Sequence, residues 1–267
     1  MACSVELLCV GNELLVGKTV NTNASWLARE ITSLGGSINR VITVSDDMRE
    51  IREAARIILA RRPDFLLTSG GLGPTFDDVT IKGLSKALGL RLKVNKEALN
   101  QVRTRYREIY FSRRFALTKF RVKMAIFPIG ARPLLNPLGT APGMALQVRK
   151  TLVVCLPGVP RELRAMFSRH VAPIIRLRAG TGGYVSQALR VQGIFESELA
   201  PLIDRVMERY PEVYVKSHPR GGEGRAGSRI ELDFSYSGHD VGKGRRAVSD
   251  AVARMARLLT GKAQIAE

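Results

Sequence analysis

The chain has 267 residues, 42 of them Lys or Arg against 24 Asp or Glu, for a formal net charge of +18 and a sequence pI of about 10.5. With 45% hydrophobic residues and a mean hydropathy of −0.02, it is neither a disordered chain nor a membrane-embedded one. Its apolar runs fall well short of the roughly 18 to 20 residues that cross a bilayer, and residues 1–11 have the pattern of a strand rather than of a secretion signal. A cytoplasmic protein with no membrane partner is therefore expected. The three cysteines, Cys3, Cys9 and Cys155, lie in or beside apolar stretches without paired spacing, which argues for reduced packing residues rather than a disulfide framework or a zinc site.

In chain order, residues 5–11 form a short apolar run, and Ala24, Leu27, Ala28, Ile31 and Leu34 then recur at helical spacing. Residues 38–44 are rich in β-branched side chains, Ile51, Ala54, Ala55, Ile58 and Leu59 are helical again, and residues 65–68 form a strand that ends in a glycine turn. Helices are expected near residues 80–88 and 96–111, adjacent strands at 144–148 and 151–156, and a helix at 159–170. After a glycine-rich break at 179–183 the order becomes strand (186–192), helix (197–210), two strands (212–216 and 229–236) and a helix (241–259). The predicted architecture is α/β over residues 1–178, a mostly parallel sheet with helices on both faces, followed by a smaller α+β, KH-like domain over 184–267.

In parallel sheets ligands sit beyond the carboxyl ends of the strands. The segments that follow the first three strands are residues 11–17, 45–47 and 69–78, all polar, and the first and last carry glycines. The last, Ser69-Gly70-Gly71-Leu72-Gly73-Pro74-Thr75-Phe76-Asp77-Asp78-Val79-Thr80, is the most informative stretch. Glycines let backbone N–H groups approach phosphate oxygens. Asp77 and Asp78 would repel a bare phosphate, so a functional loop of this composition calls for a metal ion, a hydroxyl-bearing ligand or proton transfer; the structural alternative is a tight turn with an N-capping aspartate. Asp47 and Glu50 fit a capping box, which leaves Asp46 free at a strand end, where with Asp78 it can form an oxygen site suited to Mg²⁺ or Mn²⁺ or can serve as ordinary turn chemistry. Glu13, Asn21 and Asn23 add polar groups after the first strand, and Asn23 is also a plausible helix cap.

Six collinear segments carry a family resemblance: residues 11–17 (Gly-Asn-Glu-Leu-Leu-Val-Gly), 21–23, 46–47, 70–80, 136–143 (Asn-Pro-Leu-Gly-Thr-Ala-Pro-Gly) and 156–163 (Leu-Pro-Gly-Val-Pro-Arg-Glu-Leu). Together they resemble the amino-terminal domain of the competence/damage-inducible CinA family, within the molybdopterin-binding (MoCF) superfamily, and the later domain resembles the KH-like linker domain of CinA. No segment of these 267 residues corresponds to the amidase-type domain of that family, so deamidation of nicotinamide mononucleotide is not expected. The resemblance implies an α/β domain that binds a nucleotide or pterin phosphate and, in CinA, a metal-dependent ADP-ribose pyrophosphatase. Its implied catalytic residues are Asp46, Asp78 and Asp77, with Asp46 and Asp78 on a divalent ion (Mg²⁺, Mn²⁺ or Co²⁺, with potassium also admitted). Its implied ligand-binding residues are Glu13, Asn21, Asn23, Gly70, Gly71, Gly73, Thr75, Thr80, Gly139, Thr140 and Glu162. A molybdopterin-binding or adenylyl-transfer protein of the same fold is the alternative, and self-association into a homo-oligomer is expected from related domains.

A basic segment remains. Arg103, Arg105, Arg107, Arg113, Arg114, Lys119, Arg121 and Lys123 are interleaved with Tyr106, Tyr110, Phe111, Phe115 and Phe120. Such a cluster suits either nucleic acid, through phosphate contacts and base stacking, or a solvated helix face with inward-packed aromatics; the second reading is preferred. His170, His218 and His239 are scattered without ligand spacing and read as structural.

Overall fold

The computed structural model describes residues 3–110, 115–180, 182–221, 227–238 and 240–266. The chain divides into two compact units, one spanning Cys3–Thr32 and Gly36–Arg178, the other Ser33–Gly35 and the chain from Ala179 onward. The first runs β1 (Cys3–Val10), α1 (Asn12–Leu15), α2 (Thr22–Ser33), β2 (Gly36–Val44), α3 (Met48–Arg61), β3 (Phe65–Ser69), α4 (Thr80–Leu88), β4 (Leu92–Val94), α5 (Lys96–Ile109), α6 (Lys119–Lys123), β5 (Ile126–Pro128), β6 (Arg132–Leu134), β7 (Gly143–Val148), β8 (Thr151–Leu156), α7 (Pro160–His170) and α8 (Ala172–Ala179). Its six-stranded sheet has the order β2-β1-β3-β8-β7-β6, parallel from β2 to β8 and antiparallel through β7 and β6. Continuously apolar strands are those covered on both faces, and β1, β3 and β8 are of this kind. Leu8, Val10, Leu66 and Val153 pack with Ile51 and Ile58 of α3, Leu84 of α4 and Val102 of α5. On the opposite side Arg178 of α8 stacks over Phe65 at 4.8 Å, and Trp26 of α2 meets Phe167 of α7 edge-on at 5.4 Å.

The central strand carries one charge. Glu6 is 2% exposed, and Arg61, in the last turn of α3, donates to both of its carboxylate oxygens, the Nε bond being 2.8 Å. Asp47 caps the start of α3 by accepting from the Arg49 and Glu50 N–H groups, so the cap expected at that position forms.

Short elements absent from the sequence reading are α1, α6, β4, β5 and β6, each of three to five residues. They are too brief to leave a periodic signature. The basic segment spreads over α5 and α6. There Arg121 lies 4.1 Å from the Tyr106 ring centroid, and its guanidinium also donates to the Tyr110 hydroxyl (2.9 Å), while Tyr106 and Tyr110 each stack on Phe115. Tyr106 and Phe115 are thus half-buried, while Tyr110 and Phe120 of the same cluster stay exposed. Phe111, Arg113 and Arg114 lie outside the described residues.

The second unit contains β9 (Gly183–Gln192), α9 (Glu196–Arg209), β10 (Tyr214–Pro219), β11 (Arg229–Gly238), α10 (Val241–Leu259) and β12 (Gln264–Ala266). The predicted order strand-helix-strand-strand-helix is present, extended by β12, in an antiparallel sheet of order β10-β11-β9-β12. Leu199 and Leu202 of α9 and Val248, Ala251 and Met255 of α10 pack with Leu232 and Phe234 of β11. His239 and residues 222–226 of the glycine-rich loop lie outside the described residues. Among the described residues, no helix is long and apolar enough to cross a membrane.

Two outcomes follow from the core. Arg61→Ala strands the Glu6 carboxylate in the sheet and should lower the unfolding free energy by about 3 kcal/mol, read from urea denaturation. Cys3, Cys9 and Cys155 are free and buried; burial pushes the Cys155 thiol up to about 12 and, with the nearby Asp64 charge, the Cys3 thiol up to about 11. A thiol reagent at pH 8 should therefore label none of them in the native protein and all three after denaturation.

Candidate functional site

The parallel strands β1, β2, β3 and β8 all end at one edge of the sheet, and the loops that leave them are tied to one another. The Gly11 N–H donates to the Val44 carbonyl (3.1 Å), joining the ends of β1 and β2. Asn12 at the start of α1 and Asp46 bond reciprocally, the Asn12 N–H to Asp46 Oδ2 at 2.7 Å and the Asp46 N–H to Asn12 Oδ1 at 3.4 Å. Glu13 folds back so closely that a Cβ on Gly11 would lie 2.5 Å from its carboxylate oxygen.

At the end of β3 the chain turns through Gly70 (φ 103°) and Gly71 (φ 68°), a left-handed conformation open to glycine. A Cβ on Gly70 would meet the Val10 carbonyl oxygen at 2.3 Å, and one on Gly71 would meet Thr80 Oγ1 at 2.1 Å. The Gly70 N–H is taken by the Leu156 carbonyl (3.1 Å) and its carbonyl accepts from the buried Thr80 hydroxyl (2.8 Å). The Thr75 N–H is taken by Asp78 Oδ2 (2.9 Å). Of the donors in residues 70–75 this leaves the N–H groups of Gly71, Leu72 and Gly73, which bond to no described residue. The Thr75 hydroxyl lies 2.5 Å from both Asp77 Oδ1 and Asp78 Oδ2. Its carbonyl accepts from the Asp78 N–H (3.2 Å) and from the Lys123 ammonium at the end of α6. Neither aspartate caps α4, whose first turn follows Val79 without a side-chain cap, so the capping alternative for this loop does not hold.

Two further loops complete the rim. Asn136, 6% exposed, donates to the Ala141 carbonyl (2.9 Å) and to Glu162 Oε2 (2.8 Å) and accepts from the Leu138 and Gly139 N–H groups. Asn23 of α2 donates to the Gly158 carbonyl (2.7 Å) and to the Ser69 hydroxyl (3.0 Å), pinning the loop after β8 against the end of β3.

The result is a cleft of about 420 Å³. Glu13, Asp46, Asp77, Asp78 and Glu162 bring five carboxylates to it, and Gly70, Gly71, Gly73, Thr75 and Thr140 supply backbone and hydroxyl groups. Four other residues named from the sequence stand off the cleft. Asn21, rather than Asn23, accepts from the Ala24 N–H at the start of α2 (3.0 Å); Asn23 is a strut; Thr80 is a buried brace of the glycine turn; Gly139 makes room for Glu162, whose oxygen would lie 2.0 Å from a Cβ there. Conversely, Asn136 and Gly158 sit within the quoted motifs, but their bracing roles depend on partners 26 and 135 residues away. Lys123 belongs to the basic segment, and no local pattern links it to the loop.

Charge is crowded in the cleft. Burial raises the Asp46 pKa, and repulsion from Glu13, Asp77 and Asp78 adds to it against the Asn12 N–H bond. Asp77 is lowered by the Thr75 hydroxyl first, then by its own backbone and by Lys123. Among the described residues, no three His, Cys, Asp or Glu side chains converge closely enough to cage a cation. Mg²⁺ is commonly held by one or two carboxylates together with substrate phosphates. Asp46 and Asp78, facing one cleft beside free backbone donors, are a donor set of that kind.

Comparison with known proteins identifies the family and the fold. The family described as "Probable molybdopterin binding domain" matches residues 6–177. "Protein PAE0875" of Pyrobaculum aerophilum is 48% identical over 253 residues, covering 95% of this chain and 93% of its own. "Protein Ta0487" of Thermoplasma acidophilum is 38% identical over 251 residues, covering 94% of each. A crystal structure of "the protein CinA with unknown function" from Thermoplasma acidophilum superposes with a TM-score of 0.60 at 40% identity, over 65% of this chain and 98% of that one.

The glycine turn yields a direct outcome. Gly71→Ala must both adopt a positive φ and displace the Thr80 hydroxyl, and should lower stability by roughly 2 kcal/mol or more in denaturant unfolding.

Proposed function

The chain belongs to the probable molybdopterin-binding domain family and is CinA-like, and from that premise we propose that its cleft binds a nucleotide or pterin phosphate and hydrolyses the phosphoanhydride of a nucleotide diphosphate such as ADP-ribose. The observation that carries the reading is the meeting of three unengaged N–H groups, on Gly71, Leu72 and Gly73, with Asp46, Asp77 and Asp78 in one cleft. The N–H groups take non-bridging oxygens of the diphosphate, which the glycine turn lets approach the backbone. Asp46 and Asp78 would hold a divalent cation, Mg²⁺, Mn²⁺ or Co²⁺. Such an ion, when bound, supplies Lewis acidity toward the phosphoryl group and lowers the pKa of water.

The protein's own contribution is orientation and charge. The Thr75 hydroxyl and the Lys123 ammonium fix the 75–78 turn so that Asp77 and Asp78 face the cleft without reorganising. Glu162, held by Asn136, stands in the first turn of α7, where it accepts hydrogen bonds from ligand hydroxyls. Attack of water on one phosphorus breaks the P–O–P bridge and releases two phosphate monoesters, AMP and ribose 5-phosphate in the case of ADP-ribose. The water proton passes to a cleft carboxylate other than the two that would hold the ion.

Purified protein with Mg²⁺, Mn²⁺ or Co²⁺ should release AMP from ADP-ribose, and Asp46→Ala and Asp78→Ala should each lower kcat by about 10²-fold; unchanged turnover in both variants would sink the assignment. The family description supports a second reading, a pterin-binding protein; an adenylyl-transfer protein of the same fold is a variant of it. A thermal-shift panel of ADP-ribose, ATP and a pterin phosphate separates the two, because the ligand bound most tightly raises Tm furthest at equal concentration.

A further inference from the structure

A second depression, of about 460 Å³, is bounded by Met48 of α3, by Lys82, Ser85 and Lys86 of α4, and by residues 89–92 leading into β4. No carboxylate lines it, and among the described residues Lys82, Lys86 and Arg91 form no ion pair. Asp47, next to Met48 in the chain, is committed to capping α3. Between the cations lie apolar side chains that the core leaves uncovered: Met48, Leu90 and Leu92 are 39, 37 and 37% exposed.

Helix stability accounts for Lys86, which lies in the last turn of α4 where a cation favours the macrodipole, but not for Lys82 in the first turn. The two stand four residues apart as like charges on one face. Lys123 is close enough to feel Lys82, although Asp78 acts on it more strongly. A bound anion relieves this repulsion, and the half-exposed apolar side chains suit a ligand that is more than an inorganic ion.

We propose that this depression binds a phosphate monoester carrying an apolar or aromatic body, with Lys82, Lys86 and Arg91 on the phosphate and Met48, Leu90 and Leu92 against the body. The site is separate from the cleft and does not rest on the pyrophosphatase reading. Lys82 also borders a small cavity behind the glycine turn together with Asp78 and Lys123.

The test is calorimetric titration with 1-naphthyl phosphate of the wild type, K82Q/K86Q/R91Q and D46N/D78N. The proposal expects saturable binding in the wild type, tighter than that of inorganic phosphate and weakened by added KCl. It expects one such site to persist in D46N/D78N and affinity to fall about tenfold or more in K82Q/K86Q/R91Q at unchanged Tm. Should the triple variant unfold, the single variants K86Q and R91Q, both at exposed positions, should each weaken binding several-fold. Absence of saturable binding, full affinity in the lysine and arginine variants, or loss of the site in D46N/D78N overturns the proposal.

Discussion

The close approach of the Gly70–Gly71 turn to the end of β1 is the constraint on which the rest of the cleft depends. Gly70 is bonded on one side to Leu156 at the end of β8 and on the other to Thr80 at the start of α4, with the Val10 carbonyl too near for any side chain. Three parallel strands and one helix are thereby held at a common point. The free N–H groups of Gly71, Leu72 and Gly73 and the carboxylates of Asp77 and Asp78 leave from that point, so their spacing is set by the sheet rather than by the loop alone. Precision of this kind suits chemistry that needs fixed dipoles and charges.

Around this turn the protein separates its charges. Five carboxylates line the cleft of a chain whose net charge is +18. Burial first, and then repulsion from Glu13, Asp77 and Asp78, raises the Asp46 pKa, while the Thr75 hydroxyl and, less strongly, Lys123 lower that of Asp77. The wider excess of positive charge attracts anions from solution. Outside the cleft, Lys82 and Lys86 of α4 border a second depression whose described lining holds no carboxylate.

Much of this was legible in the sequence. Alternation of strand and helix patterns gave the parallel order of β1, β2 and β3, the spacing of Asp47 and Glu50 marked the start of α3, and the glycine loop located the cleft. The asparagines were less legible. Asn21 and Asn23 are equivalent candidates for a helix cap by pattern, and the choice falls to Asn21 because Asn23 finds Ser69 and Gly158 across the sheet edge. Thr80 resembles a ligand residue in the motif, yet its hydroxyl is spent on the Gly70 carbonyl inside the fold. In the basic segment, composition alone leaves nucleic-acid stacking and internal packing as alternatives; in the structure Arg121 stacks on Tyr106, while Tyr110 and Phe120 remain exposed.

The sequence by itself determined the order of the elements, the family and the identity of the acidic residues at the strand ends, because these rest on periodicity, turn chemistry and collinear motifs that are local in the chain. The tertiary structure decided which N–H groups of the glycine loop bond to no described residue, that Asn23 and Asn136 brace neighbouring segments, and that Lys123 stands behind Thr75. Each of those outcomes depends on a partner tens of residues away, brought into hydrogen-bond range only when the strands close into one sheet.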